Sequence, residues 1–268
     1  MEKNLSEYLK IVLVETETPG NLGASARAMK TMGFHHLTLV RPYKKDSREA
    51  WARAVHAQDI LEQAQVCDNL ESALTDCTLV IGTSGKIESV DQKRFSPRTL
   101  AEYLRIEIDE QQHTKIAIVF GRESKGLTLS ELSLCHAHIR IPTHPDCPSL
   151  NLGAAVQLIC YELFVANLAG LQNSLSEGAK VAQNNAQEQL GFHSMHNQEK
   201  TDIILATQAQ QNYLLAQLEN LAIQVGALNP KRPRQMMTKL RTFIYRAQGR
   251  KAEIDLLINL VKRALKSS

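Results

Sequence analysis

The 268-residue sequence predicts a three-layer α/β domain built on a parallel sheet, followed by a small all-α module. Three observations carry this reading. Short β-branched runs alternate with helical stretches over the first 170 residues. Those runs are nearly continuous in apolar residues, as strands buried on both faces of a parallel sheet require. Beyond residue 200 the periodicity is purely helical.

Taken in order, KIVLVETE (10–17) is the first strand. PGNLGASARAMK (19–30) follows it as a helix, with Asn21 expected to cap its start and Gly33 to close its end. HLTLVRP (36–42) and TLVIGTS (78–84) are the next strands. Ser96 is the expected cap of a helix whose first residue is Pro97, where proline's missing N–H costs nothing. KIAIVFGRE (115–123) is a strand, and Thr128 with Glu131 has capping-box spacing for a helix. HIRIPT (138–143) is the last strand. LNLGAAVQLICYELFVANLAG (150–170) predicts one long helix, whose Gly153, Ala154 and Ala155 let another backbone come close.

The chain then changes character. Residues 171–200 are rich in Gln, Asn and Ser and predict a partly mobile linker. After it, Ile204, Tyr213, Leu214, Leu218 and Leu221 predict one helix, and PRQMMTKLRTFIYRAQ and AEIDLLINLVKRAL predict two more. The expected organisation is therefore a domain over 1–170, a linker over 171–200 and a helical domain over 201–268.

The net charge of +3 is unevenly spread: residues 226–268 hold 11 Lys or Arg against 2 acids. A basic module on an otherwise mildly acidic chain fits a polyanionic partner. No apolar run reaches the roughly 20 residues of a membrane span, so no membrane partner is expected. MEKNLSEYLK lacks the order of a signal peptide, and the five scattered cysteines form no CxxC pair. A reducing, cytoplasmic setting is the expectation. His136, His138, His144, Asp146 and Cys147 have ligand chemistry but match no zinc spacing, so no metal is expected.

Four loops follow strands. PGNLG offers G-x-x-G and fails both the Rossmann fingerprint and the P-loop pattern. GTSGK (82–86) puts hydroxyls at a strand's carboxyl end, where open α/β sheets bind ligands. VFGRESKGL (119–127) crowds Arg122, Glu123 and Lys125 between Gly121 and Gly126, and PTHPDCPSLNLG (142–153) stiffens a loop with three prolines ahead of a helix start.

Asn21, Gly23 and Arg27, then VFGRESKGL, then SLNLGAAVQ together resemble the three motifs of the SPOUT class of RNA methyltransferases, TrmH-like branch. The resemblance is close over residues 11–170 and holds only in outline beyond. It implies a deep trefoil knot, a homodimer, and S-adenosylmethionine as cofactor, held by Thr83, Ser84, Gly85, Gly121, Glu123, Ile141, Pro148, Ser149, Leu150 and Asn151. It also implies 2'-O-methylation of a cytidine or uridine at position 32 of the tRNA anticodon loop, with Arg27 and Asn21 in the catalytic site. A ribosomal RNA 2'-O-methyltransferase of the same fold and a non-catalytic RNA-binding protein are the competing readings. On charge alone, Lys231, Arg232, Arg234, Lys239, Arg241 and Arg246 are the expected tRNA contacts.

Overall fold

A computed structural model describes residues 5–85, 93–110, 115–184, 204–228 and 234–267. The chain opens with α1 (Leu5–Tyr8), β1 (Leu9–Val14), α2 (Pro19–Thr31) and β2 (His36–Val40). It continues through α3 (Arg48–Arg53), α4 (Gln58–Glu62), β3 (Gln65–Cys67), α5 (Leu70–Leu74) and β4 (Leu79–Thr83). Next come β5 (Lys93–Phe95), α6 (Pro97–Glu110), β6 (Ile116–Phe120), α7 (Leu129–Leu132) and β7 (Ala137–Ile139). Four longer helices complete it: α8 (Leu152–Asn184), α9 (Gln208–Gln224), α10 (Arg234–Ala247) and α11 (Lys251–Ser267).

The seven strands form one sheet in the order β3-β2-β1-β6-β4-β7-β5, and every pairing is parallel. Side chains on a strand alternate between faces, and here both sets are apolar. Ile11 and Leu13 of β1, with Ile116 and Ile118 of β6, join the core under α2, α6 and α8. Val12 and Val14, with Ala117 and Val119, join the core on the opposite face, under α5 and α7. The three-layer architecture follows from that double burial.

The strands are shorter than their apolar runs. Glu15 (φ 47°) and Arg41 (φ 45°) adopt left-handed backbone and end β1 and β2 before the stretches 10–17 and 36–42 are used up. The last strand covers Ala137–Ile139 rather than 138–143, because proline and irregular backbone take over beyond Arg140. β3 (QVC) and β5 (KRF) have no counterpart in the sequence reading. Both are three-residue edge strands with two exposed residues each, so they carry almost no apolar signal.

Several caps form as their residues dictate. Ser96 Oγ accepts the Thr99 N–H at 3.2 Å ahead of Pro97, and Thr128 with Glu131 completes a capping box. Gly33 takes φ 76° just past α2. Asn21, however, does not cap α2. Thr18 is the N-cap, Pro19 opens the helix, and Asn21 lies inside the first turn with its side chain employed elsewhere.

The polar stretch expected as linker is helical to Asn184, since α8 continues through it; the remainder, to residue 200, lies outside the described residues. The helix expected around Ile204 begins later, at Gln208, behind a Thr207–Gln210 capping box. Ile204 and Leu205 are extended, with Leu205 bridged to Arg250. α9, α10 and α11 close their own core on Leu214, Leu215, Ile244, Tyr245, Ile254 and Ile258.

This helical bundle is fastened to the sheet by buried polar contacts. Gln208 and Ala209 donate main-chain N–H groups to the carbonyls of Cys77 and Thr75. His136 Nδ1 accepts the Val80 N–H at 2.9 Å, so its Nε2 carries the proton and donates to Gln211 Oε1 at 3.1 Å. The Tyr245 ring stacks on His136 at 4.6 Å, and Tyr245 donates its hydroxyl to Asn212. Burial holds the His136 pKa down at about 4, against the pull of its bonds to Gln211 and Val80, so the ring is neutral at physiological pH.

Candidate active site

β6, β4 and β7 are neighbours in the sheet. The three loops expected to hold the cofactor leave their carboxyl ends and therefore start side by side. Ser84 N–H donates to Ile139 O at 3.0 Å, and Thr83 Oγ1 donates to Val119 O at 3.1 Å. These bonds tie the Thr83–Ser84–Gly85 turn to the ends of β7 and β6.

The Gly121 turn is tight for a steric reason. A Cβ there would come within 2.1 Å of the Gly126 carbonyl carbon, because the chain folds straight back on itself. Arg122 fixes this fold with its whole guanidinium. It donates to Glu15 at 2.5 Å and to both Glu131 oxygens at 2.9 and 3.0 Å. Arg41 pairs with Glu15 from the other side. The hydrogen bond from Arg122 leads in holding the Glu15 carboxyl below its ordinary range, and the bonds to Glu131 and Glu15 push Arg122 up. Arg122 is thus a brace for the loop.

Glu123 points at the start of α2. Its carboxylate accepts the Glu17 N–H at 2.8 Å, the Thr18 N–H at 3.1 Å and Asn21 Nδ2 at 2.8 Å. Burial works to raise its pKa, but the Asn21 bond and the main-chain N–H groups outweigh it and the carboxyl stays below its usual value. Asn21 Oδ1 in turn accepts from Asn151 Nδ2 at 2.8 Å, and Asn151 Oδ1 accepts the Gly153 N–H at the start of α8. One hydrogen-bonded chain, Glu123–Asn21–Asn151, joins the three sequence motifs.

The glycines of the first motif serve packing. A Cβ on Gly23 would lie 2.1 Å from Ala50 O, where α3 presses on α2. A Cβ on Gly153 would lie 2.8 Å from the Ala24 Cβ, where α8 presses on the same helix. α2 is thus held from two sides. Arg27, six residues beyond Asn21 and about 9 Å further along the axis, is exposed, and its guanidinium makes no ion pair among the described residues.

The last loop is open. Pro148, Ser149, Leu150 and Asn151 are all exposed, and Thr143 Oγ1 donates to Pro148 O. The main-chain N–H groups of Ser149 and Leu150 make no hydrogen bond among the described residues. Leu150 is 43% exposed and Ile141 half-buried, which puts apolar surface next to free main-chain donors. Such a donor set fits a nucleoside cofactor gripped through backbone. A cleft of about 330 Å³ lies at the amino ends of β1, β2 and β6, beside Lys10, Asp76 and Lys115. Ligands of open α/β sheets bind at the other end, where the three loops leave the strands.

The description of SpoU rRNA methylases matches residues 8–161, more than half of the sequence. The chain belongs to the SpoU methylase family. It is a member of a methyltransferase family, with the α/β fold and helical C-terminal segment its relatives share. It is 37% identical to the tRNA (cytidine/uridine/adenosine-2'-O-)-methyltransferase TrmJ of Pseudomonas aeruginosa, over 97% of this chain and 95% of that one. To the tRNA (cytidine/uridine-2'-O-)-methyltransferase TrmJ of Klebsiella pneumoniae it is 38% identical, over 94% and 93%. The crystal structure of TrmJ from Z. mobilis superposes with a TM-score of 0.73 at 25% identity, covering 95% of this chain and 97% of that one. A probable methylase family protein from Haemophilus influenzae gives 0.57 at 36% identity, over 98% of each.

The expected RNA contacts of the helical segment divide. Lys231 and Arg232 lie outside the described residues, and Arg234 begins α10. Lys239 and Arg246 are exposed on α10. Arg241 is turned toward the α/β domain and donates to Ser133 Oγ at 3.3 Å. His136, just ahead of β7, and His138, on it, are buried and hydrogen-bonded within the fold, whereas His144 and Asp146 are exposed. Sequence reasoning missed the role of Glu17, whose carboxylate accepts from the Ser124 N–H and Oγ–H and braces the second motif against the first. A pairing across 107 residues leaves no local signal.

Proposed function

We propose that this enzyme is an S-adenosylmethionine-dependent tRNA 2'-O-methyltransferase acting on cytidine or uridine 32 of the anticodon loop. The observation that carries the reading is the Glu123–Asn21–Asn151 chain, which locks the helix bearing Arg27 to two of the loops suited to the cofactor. Near full-length likeness to TrmJ proteins supports tRNA as the substrate. Thr83, Ser84, Gly85, Gly121, Ile141 and Pro148–Leu150 would hold the cofactor, chiefly through main chain, with Glu123 and Asn151 fixing the loops around it. S-adenosylmethionine supplies an electrophilic methyl group when bound.

The ribose 2'-hydroxyl is a poor nucleophile and loses its proton as it attacks. Arginine is a permanent cation and an unsuitable base. Arg27 therefore grips the phosphate beside the target ribose and stabilises the developing alkoxide, and the proton leaves to a phosphate oxygen or water. Asn21 acts as the positioning residue for that helix.

A trefoil knot and a homodimer belong to the same proposal. Strand β7, last in the chain, inserts between β4 and β5, which supports a threaded crossing. Tyr161, Val165 and Leu168 lie exposed along α8 and offer an apolar stripe to a second copy. All five cysteines are free, in keeping with the cytoplasm, and no described helix is long and apolar enough to cross a membrane.

The test is incubation with tritiated S-adenosylmethionine and either tRNA or ribosomal RNA, followed by nucleotide-resolution mapping of 2'-O-methylation. Label at tRNA position 32 supports the proposal. Label only in ribosomal RNA transfers the substrate to the competing reading, and cofactor binding without any transfer overturns catalysis.

A further inference from the structure

We infer a second RNA-binding surface, on the catalytic domain itself: the β2–α3 loop and α3 form a phosphate track leading to Arg27. This rests on the tRNA reading above. Five of residues 41–53 are Lys or Arg, against two acids, and the basic residues of the C-terminal segment play no part in it.

The loop is built, not merely solvated. Arg41 N–H donates to Cys67 O and Tyr43 N–H to Thr16 O, both at 3.1 Å, which pins the loop to the ends of β3 and β1. Arg41 and Lys44 hold left-handed backbone, at φ 45° and 46°, in a segment without glycine. Non-glycine residues stay in that region only where surrounding contacts enforce it. Ser47 then caps α3 through the Ala50 N–H.

Placement gives the loop its direction. α3 lies directly on α2 at Gly23, where the Arg53 Cβ stands 2.8 Å from a virtual glycine Cβ. Arg27 follows one helical turn later on the same side of α2. The cations Lys44, Lys45, Arg48 and Arg53 thus run from the loop along α3 toward Arg27.

Charge pairing distinguishes these cations from several others of the same domain. Lys10, Lys30, Arg98, Lys115 and Arg122 each hold a carboxylate. Lys44, Lys45, Arg48 and Arg53 hold none among the described residues. Tyr43 stands 53% exposed among them, with the Lys44 ammonium over its ring at 5.0 Å. Unpaired cations around an exposed aromatic suit a single-stranded polynucleotide, with phosphates on the cations and a base against the free ring face. The occupant is the sugar-phosphate strand flanking the nucleotide that Arg27 addresses.

The test uses full-length protein and unmodified tRNA. In a Lys45→Gln, Arg48→Gln, Arg53→Gln triple variant, tRNA affinity falls on the order of tenfold at moderate salt. The slope of log affinity against log salt becomes shallower by about 2, since each lost phosphate contact on a single strand removes about 0.7. S-adenosylmethionine binding by calorimetry stays at the wild-type value, which also reports that the fold is intact. Arg48→Gln alone lowers the slope by about 0.7, whereas Lys115→Gln, at the opposite end of the sheet, leaves it unchanged. Tyr43→Ala weakens binding without changing the slope. A triple variant with wild-type slope and wild-type KM for tRNA, beside an active wild type, overturns the track and leaves the tRNA reading intact. A wild type that neither binds nor methylates tRNA overturns both.

Discussion

Replacing Glu123 by glutamine tests whether the join between the three loops is electrostatic. The carboxylate accepts three N–H donors, from Glu17, Thr18 and Asn21. Glutamine keeps the shape but turns one acceptor into a donor. Whichever way the amide is oriented, its NH₂ faces an N–H: Glu17 in one orientation, Thr18 and Asn21 in the other. Hydrogen bonds to a charged acceptor are worth roughly 1.5–3 kcal/mol each, and a negative charge beside the positive end of a helix, its N-terminus, adds about 0.3–1 kcal/mol. Glu123 is only half-buried and solvent replaces part of this. The expected net loss is about 1–2 kcal/mol, or roughly 2–8 °C in Tm.

The pH dependence has a definite sign. The folded carboxyl titrates below its ordinary value of 4.5, so it contributes fully above that pH. The contribution disappears as pH falls through the folded value. The assay is thermal melting of wild type and Glu123→Gln between pH 7 and pH 3.5. The Tm gap is widest at neutral pH and narrows below pH 4.5. A variant as stable as wild type at pH 7, or a gap that does not close on acidification, refutes the role assigned to the carboxylate.

Other perturbations have equally specific outcomes. Arg27→Ala abolishes methyl transfer while leaving the melting temperature and cofactor binding at wild-type values, because the side chain is exposed and unpaired; normal transfer by the variant would remove Arg27 from the site. Gly23→Ala drives a methyl against Ala50 O and destabilises by about 1–3 kcal/mol, measured by urea denaturation; an unchanged midpoint would contradict the close packing of α2 on α3. His136 is neutral when folded, with a pKa of about 4, and ordinary when unfolded, so it costs stability as pH falls from 6.5 toward 4. His136→Phe removes that dependence, on the order of 3 kcal/mol over the window, while weakening the bundle through loss of the Gln211 bond; an unchanged acid slope would refute it. Asn21→Ala separates Glu123 from Asn151 and lowers kcat more than it raises KM for tRNA, because it disturbs the aim of Arg27 rather than RNA affinity.

The motifs themselves were legible in the chain. Capping by Ser96 and Thr128, closure by Gly33 and the double-sided burial of the central strands all follow from local residue chemistry. The edge strands β3 and β5 were not, since three residues with exposed side chains leave no periodicity. The end of α8 was also hidden: Gln, Asn and Ser read as linker, yet the helix they continue runs to Asn184. Asn21 shows the limit most directly. Its type and place before a helix predict a cap, but Pro19 starts the helix a turn earlier and frees the amide.

By itself, the sequence determined that α/β layers precede a helical module, and which short stretches match the family's motifs. It did so because burial, turns and caps are local properties of residue type and spacing. Only the tertiary structure decided that Glu123, Asn21 and Asn151 are one connected unit, that Arg122 braces rather than lines the site, and that the glycines beside Arg27 seat helices. The Glu123–Asn21, Arg122–Glu15 and Asn21–Asn151 pairs each lie more than 100 residues apart along the chain and are brought together by the order β1-β6-β4-β7. No local pattern encodes a partner at that distance; the packing of the sheet supplies it.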